Sequence, residues 1–384
     1  MGETGFERTS PWQHFRDQMP VVARWAYFDH AAVAPLPAPA AEAIADFSRQ
    51  AAQDGDTVWP AWSARVETCR ALAAELIGAQ ESEIALVHST TEGISLVAEG
   101  VPWQPGDNVV TLENEFPSNQ YPWLNLASRG VETRRVVARE GRVDLKELTA
   151  ACDSRTRIVS ASWVGYLSGW RTDLDTLAEV VHARGALLCV DAIQGLGVFP
   201  LDVSRTPIDF LAADGHKWLL GPEGAGVFYL RREHLDRLRP IGVGWHSVER
   251  ASDYGHIELA FKQNAARYEG GTQNMVGFMG LAASLEVLAT YGTAAVGQRV
   301  LEITDLACER LKSAGAVLYS HREGAHRSGI VSFEVPGQDS LALKKRLLAA
   351  GVVTSARSGK LRIAPHAYNN VDDVERLIGA LHAR

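Results

Sequence analysis

Cysteine is scarce in this chain. Cys69, Cys152, Cys189 and Cys308 are the only four among 384 residues, with no C-x-x-C pair and no histidine near them at metal-ligand spacing. A disulfide-stapled scaffold and a zinc ribbon are excluded, no metal site is expected, and the four are read as reduced thiols. Basic charge is in deficit too. With 38 Lys and Arg against 46 Asp and Glu the net charge is −8, which argues against a nucleic-acid partner, since such binders usually carry a basic stripe. No apolar run reaches the roughly 18–20 residues that span a bilayer, so no membrane partner is expected. The opening Met1-Gly2-Glu3 is acidic where a secretory signal is basic and then apolar, and Phe6 stands where a myristoylation site has Ser or Thr. The expectation is a cytoplasmic protein. Repeats and long flexible linkers are also missing, so any domains share a compact boundary.

What is present is a chain too long for one ordinary core. After an Ala/Pro-rich stretch at 31–41, helical apolar spacing runs over 59–77. Short β-type runs then follow at 84–88, 108–112, 157–164, 186–190, 209–213 and 226–230. Helical patterns lie between them at 94–99, after Ser118 and at 174–183. This alternation predicts an α/β fold with a mainly parallel sheet covered on both faces. From Asn274 the texture changes to long helices (276–291, 294–314), β-runs (329–335, 361–364) and a last helix from Val371. A large domain over 20–273 is therefore expected beside a small α+β domain made of 1–19 and 274–384.

Ligands of such sheets sit at the carboxyl ends of the strands, so the polar residues closing each run carry the interest. The run 209–213 leads into Asp214-Gly215-His216-Lys217-Trp218. A lysine at a strand end in an apolar setting is desolvated, which lowers its pKa and makes its amine nucleophilic; a lysine in a surface turn is the ordinary alternative. The run 186–190 leads into Asp191, with Gln194 three residues on. That acid is placed either to pair with a protonated ring nitrogen of a bound cofactor or simply to cap the next turn. After 84–88 come Ser89-Thr90-Thr91-Glu92-Gly93. Hydroxyls and free amides at a helix start suit a phosphate, and Ser89 with Glu92 equally spells a capping box.

Taken together, Thr90, Thr91, Asp191, Gln194, His216 and Lys217 fall at successive strand ends in the order of a pyridoxal 5′-phosphate (PLP) site. In this series the chain resembles the class V aminotransferases of PLP fold type I, a group with cysteine desulfurases, selenocysteine lyases and proteins similar to isopenicillin N epimerase. The likeness extends from Phe28-Asp29-His30-Ala31-Ala32 to Arg362-Ile363-Ala364-Pro365-His366. It implies a seven-stranded large-domain sheet, PLP as cofactor held as a Schiff base by Lys217, and an amino-acid substrate. Asp191 then serves the pyridine nitrogen, Gln194 the ring's phenolic oxygen, and Thr90, Thr91 and His216 the phosphate. Phe116 falls where desulfurases stack a histidine on the ring, and Tyr166 where they have an asparagine. Thr272, in Glu269-Gly270-Gly271-Thr272, matches a loop that crosses to the phosphate of a second subunit, so a homodimer with shared sites is implied. Arg362 matches the arginine that grips the substrate carboxylate, and His30 and Trp245 are expected pocket walls.

Two positions depart from the family pattern. Asp214 stands where many relatives have a phosphate-binding serine, and a carboxylate beside a dianion is unfavourable, so Asp214 is expected to point away or to bond a backbone amide. The stretch 353–360 lacks the nucleophilic cysteine of the desulfurase loop, and serine cannot replace an attacking thiolate. Cysteine desulfuration through a protein persulfide is not expected. The implied activity is chemistry at Cα of a small amino acid, with transamination the nominal outcome and epimerisation or β-elimination the alternatives. A non-catalytic PLP-binding protein is the more distant reading. The glycine-rich run 221–226 precedes a β-run rather than opening a helix, which sets aside a dinucleotide-binding dehydrogenase.

Overall fold

The computed structural model describes residues 10–382; the expectations drawn from Met1-Gly2-Glu3 and Phe6 lie outside them. In chain order the strands of the main sheet are β1 (Ile84–Val87), β2 (Asn108–Leu112), β3 (Glu132–Val136), β4 (Thr156–Ser162), β5 (Leu187–Asp191), β6 (Phe210–Asp214) and β7 (Gly226–Leu230). Their spatial order is β1-β7-β6-β5-β4-β2-β3. Neighbours are parallel except at β7, which runs antiparallel to both β1 and β6. The carboxyl ends of the other six strands therefore share one edge. This is the expected mainly parallel, seven-stranded sheet of fold type I.

Successive residues of each central strand enter opposite cores. Val110, Leu188 and Leu211 pack on one face, and Val109, Cys189 and Phe210 on the other, as the pleat requires. Over the first face lie α1 (Ala38–Gln53), α2 (Trp59–Ile77) and, later in the chain, α4 (Leu174–His182) and α5 (Met275–Tyr291). Over the second lies α3 (Thr90–Gly100), which comes so close that a Cβ on Gly93 would stand 2.7 Å from the Cβ of Ala212.

The differences from the sequence reading have local causes. Edge strand β3 reads Glu-Thr-Arg-Arg-Val, with none of its residues fully buried, so no apolar run announces it. Helix α1 begins inside the Ala/Pro-rich stretch, because Pro39 occupies its first turn, where a missing N–H costs nothing. The helical pattern after Ser118 condenses to the four-residue helix Tyr121–Leu124 between 3-10 turns.

A second, antiparallel sheet has the order β10 (Ser355–Arg357), β11 (Lys360–Ile363), β9 (Val331–Glu334), β8 (Val317–Leu318). It packs with α6 (Thr293–Ser313), α7 (Ser340–Ala349) and α8 (Val371–His382) around Leu311, Phe333, Leu347, Ile363 and Leu377. The expected division of the chain does not follow the packing. Ala26 pairs with Val352 and, with Phe28, enters the small core. Phe15 and Met19, assigned to the small domain, enter the large one, as do Phe278 and Leu285 of α5. A boundary follows the core into which each apolar side chain fits, which position along the chain does not reveal.

Candidate active site

At the shared edge a cavity of about 300 Å³ opens between the two sheets. Its floor is the end of β6. Gly215 N–H donates to Ala225 O at 2.8 Å and Gly221 N–H to Gly215 O at 2.9 Å, a turn so close that a Cβ on Gly215 would meet Ala225 O at 2.5 Å. Lys217 leaves this turn into the cavity and is 7% exposed. Burial pulls its amine down to about 8, against the upward pull of Asp191. Asp191 ends β5 on the same edge, fully enclosed, with Oδ1 accepting from Ile193 N at 3.1 Å. Burial pushes its carboxyl up to about 6, and the Ile193 amide and Lys217 offset that only in part.

The wall beyond β1 is the start of α3. Ser89 Oγ caps the helix by accepting from Glu92 N at 3.1 Å. Glu92 bonds the amide and Nδ1 of His88 at 2.5 and 3.0 Å, not the amide of Ser89, so the expected capping box is only half formed. Thr90 Oγ1 accepts from Asp214 N at 2.9 Å, and Thr91 Oγ1 donates to Ser118 Oγ at 2.8 Å. Both threonines line the cavity, beside His216 and Asp214. Asp214 thus faces the site instead of pointing away. Its amide is the donor to Thr90, and its Oδ2 lies 3.0 Å from His216 Nδ1.

Gln194 also lines the cavity but is held at both ends, donating to Ala31 O at 3.0 Å and accepting from Trp218 Nε1 at 2.8 Å. Phe116 is half exposed on the facing wall, with Lys217 Nζ 5.4 Å from its ring centroid and the Tyr166 ring meeting it edge-on at 5.5 Å. Arg362 enters from β11 of the small domain. It is 2% exposed and donates to Ser355 Oγ (3.1 Å), Tyr166 O (2.7 Å) and Asp29 Oδ1 (3.4 Å), so two of its five N–H groups remain for a ligand. Arg357, which no local sequence signal marks, lines the same mouth.

Glu115 is likewise unmarked by any local signal in the sequence. It lies buried behind Phe116, accepts from Ser162 N at 2.7 Å and from Ser162 Oγ, and is pushed up to about 7, chiefly by burial. Four residues on, Asn119 Oδ1 accepts from Ser160 Oγ at 2.6 Å. Acceptors at 115 and 119 facing serines at 160 and 162 are the signal that anchors the Phe116 segment to β4; it becomes visible only once the pairing of strand and loop is known.

Two expected pocket walls lie elsewhere, and Thr272, expected at the phosphate of a second subunit, is outside this cavity as well. His30 is completely buried behind the site, with Nδ1 2.7 Å from Ala364 O and Nε2 2.9 Å from Tyr368 Oη. Burial, with His366 nearby, holds it well below the usual histidine range, so it is a core residue and not a pocket wall. Trp245 lines a separate apolar depression with Tyr254 and Leu259 on the 243–260 loop. Thr272 is exposed in another cavity, which it shares with His88 and Glu92 on the far side of the α3 start. The four cysteines are buried, each thiol is raised by burial, and none lines the cavity about Lys217.

The residues present fit PLP. Lys217 is a buried amine at the base of the cavity, Asp191 a buried carboxylate with one oxygen uncommitted, and Thr90 and Thr91 present the start of an 11-residue helix. Residues 26–377 match the family described as aminotransferase class-V. The chain is 29% identical to a probable cysteine desulfurase of Methanothermobacter thermautotrophicus, over 94% of this chain and 95% of that one. It is 28% identical to the isopenicillin N epimerase of Streptomyces clavuligerus, over 97% and 98%. Its fold superimposes on the apo cysteine desulfurase of Thermococcus onnurineus with a TM-score of 0.87, at 26% identity over 96% of each chain. The chain belongs to the class-V aminotransferase family, and so to the PLP-dependent enzymes of fold type I.

Proposed function

We propose that this enzyme transaminates a small α-amino acid. The observation that carries the reading is the pairing of Lys217, the one amine lining the cavity, with the hydrocarbon face of Phe116 opposite it. Bound PLP supplies an electron-accepting ring that makes the substrate's Cα–H acidic. Asp191 would hold the positive charge of the ring nitrogen, and Arg362 would orient the substrate by its carboxylate. Lys217 Nζ, pulled down to about 8 by burial, would take the Cα proton and deliver it on the same face to C4′ of the cofactor. Phe116 can neither give nor take a proton, which supports single-base chemistry over inversion at Cα. With no thiol at the cavity, nothing there accepts sulfur from a substrate.

Two experiments test this. Borohydride reduction of the PLP-loaded protein followed by peptide mapping should label Lys217; a label on another lysine would refute the assignment. An amino-acid panel without an acceptor should then release one equivalent of 2-oxo acid per site and no ammonia. Continuous 2-oxo acid with ammonia would replace transamination by β-elimination.

We propose further that two chains share their sites. Thr272 lies exposed on the outer side of the α3 start, and the 243–260 loop presents Tyr254, Ile257 and Leu259 at 73%, 92% and 68% exposure. So much apolar surface on one loop suits a protein contact. Sedimentation at low concentration should show a dimer; a fully active monomer would overturn this.

A further inference from the structure

Asp214 is the residue whose position in the cavity is least expected, and it is 6% exposed. Its backbone N–H ties the end of β6 to Thr90 Oγ1, which fixes the backbone from which the side chain departs. Oδ2 lies 3.0 Å from His216 Nδ1, close but off the line of a hydrogen bond, and Oδ1 is buried with no partner. A lone carboxylate here would repel a phosphate dianion. A carboxylate against one imidazole nitrogen acts differently, because it fixes which nitrogen is left for the cavity. The other charges near it are Lys217, whose amine Asp214 helps keep protonated, and, farther along the cavity, Asp191, Arg357 and Arg362.

We propose that Asp214 is a positioning residue of the phosphate subsite: it orients His216 through Nδ1 so that Nε2 faces the phosphate. Bracketed by two anions, the ring satisfies both by donating one N–H to each, which only the imidazolium can do. An Asp–His pair thereby does in this chain what the serine of many relatives does by direct donation. The inference rests on PLP occupying this cavity.

The test is a double-mutant cycle read by PLP dissociation from the stripped protein, by equilibrium dialysis at neutral pH. Stoichiometric borohydride labelling of wild-type Lys217 is established first; failure there overturns the PLP reading and this inference with it. D214N and H216Q are each expected to weaken PLP binding by about tenfold or more, and the double variant no further than either alone. A second replacement, D214S, should restore binding that no longer depends on His216. The ¹⁵N resonances of His216 in the PLP-bound protein should report both ring nitrogens protonated in wild type and one in D214N. Tighter binding by D214N would show bare repulsion and overturn the proposal. So would losses that multiply in the double variant, as a merely structural role would produce, or a neutral His216 in the loaded wild type.

Discussion

The two ends of the same strand pair hold buried carboxylates of opposite character. At the amino end Asp209 is 2% exposed, and both of its oxygens are bonded: Leu188 N and His182 Nε2 at 2.7 Å on one, His234 Nε2 at 2.7 Å on the other. Burial alone would raise its carboxyl, but these donors outweigh burial and hold it below the usual range. At the carboxyl end Asp191 is equally buried, has one amide donor, and is pushed up to about 6. A buried charge with both oxygens bonded belongs to the architecture. One left short of partners waits for a ligand.

The comparison can be broken by exchanging the outcomes. Asp191→Asn should still take up PLP but lose turnover by a factor on the order of 10²–10³, the usual cost of removing a positioned electrostatic partner. Asp209→Ala should leave turnover per folded site unchanged while lowering stability by about 3–5 kcal/mol, since two histidines and an amide lose their acceptor. Near-wild-type turnover of Asp191→Asn, or a stable Asp209→Ala protein, would erase the distinction.

The apo proteins sharpen it through pH. The folded value of Asp191, about 6, lies above its unfolded value of roughly 3.9. The folded state therefore binds the extra proton, and stability falls as pH rises from about 4 to about 6 and stays lower above that. Asp191→Asn should stabilise the apo protein at pH 7, by roughly 2–3 kcal/mol, and remove that slope. Asp209 has the reverse sign: its folded value is depressed, so its contribution is present above the unfolded value and lost as pH falls through the folded one. Urea titrations of both variants between pH 3 and 8 check the two directions, and slopes of the same sign would contradict the argument.

The smallest effect is expected from the thiols. Replacing all four cysteines by Ala or Ser should leave Cα-proton exchange on the true substrate largely intact, apart from stability lost at the buried Cys69, Cys152, Cys189 and Cys308. No protein-bound persulfide should form with L-cysteine. Mass spectrometry that finds one on any of these residues would restore the desulfurase route.

Legibility in the sequence followed locality. Asp191 and Lys217 could be read because parallel strands bring their carboxyl ends to one edge, so an acid or lysine just past an apolar run must stand near its counterparts. Thr90 and His216 followed by the same rule. Edge strand β3 escaped because its residues face water, and the capping box misled because Glu92 had a second amide within reach, that of His88.

The sequence by itself determined six of the seven strands of the main sheet, the strand-end residues and the missing thiol at 353–360, since each rests on short-range periodicity or on the simple presence of a residue type. Only the tertiary structure decided that His30 is enclosed by Ala364 and Tyr368, that Trp245 sits on a different surface, and that Arg357 shares the mouth with Arg362. It also decided that Asp214 turns inward to His216. These outcomes depend on segments distant in the chain meeting, as when His30 bonds Ala364 and Tyr368 or Thr90 bonds the amide of Asp214, and such meetings are settled by packing the two cores together.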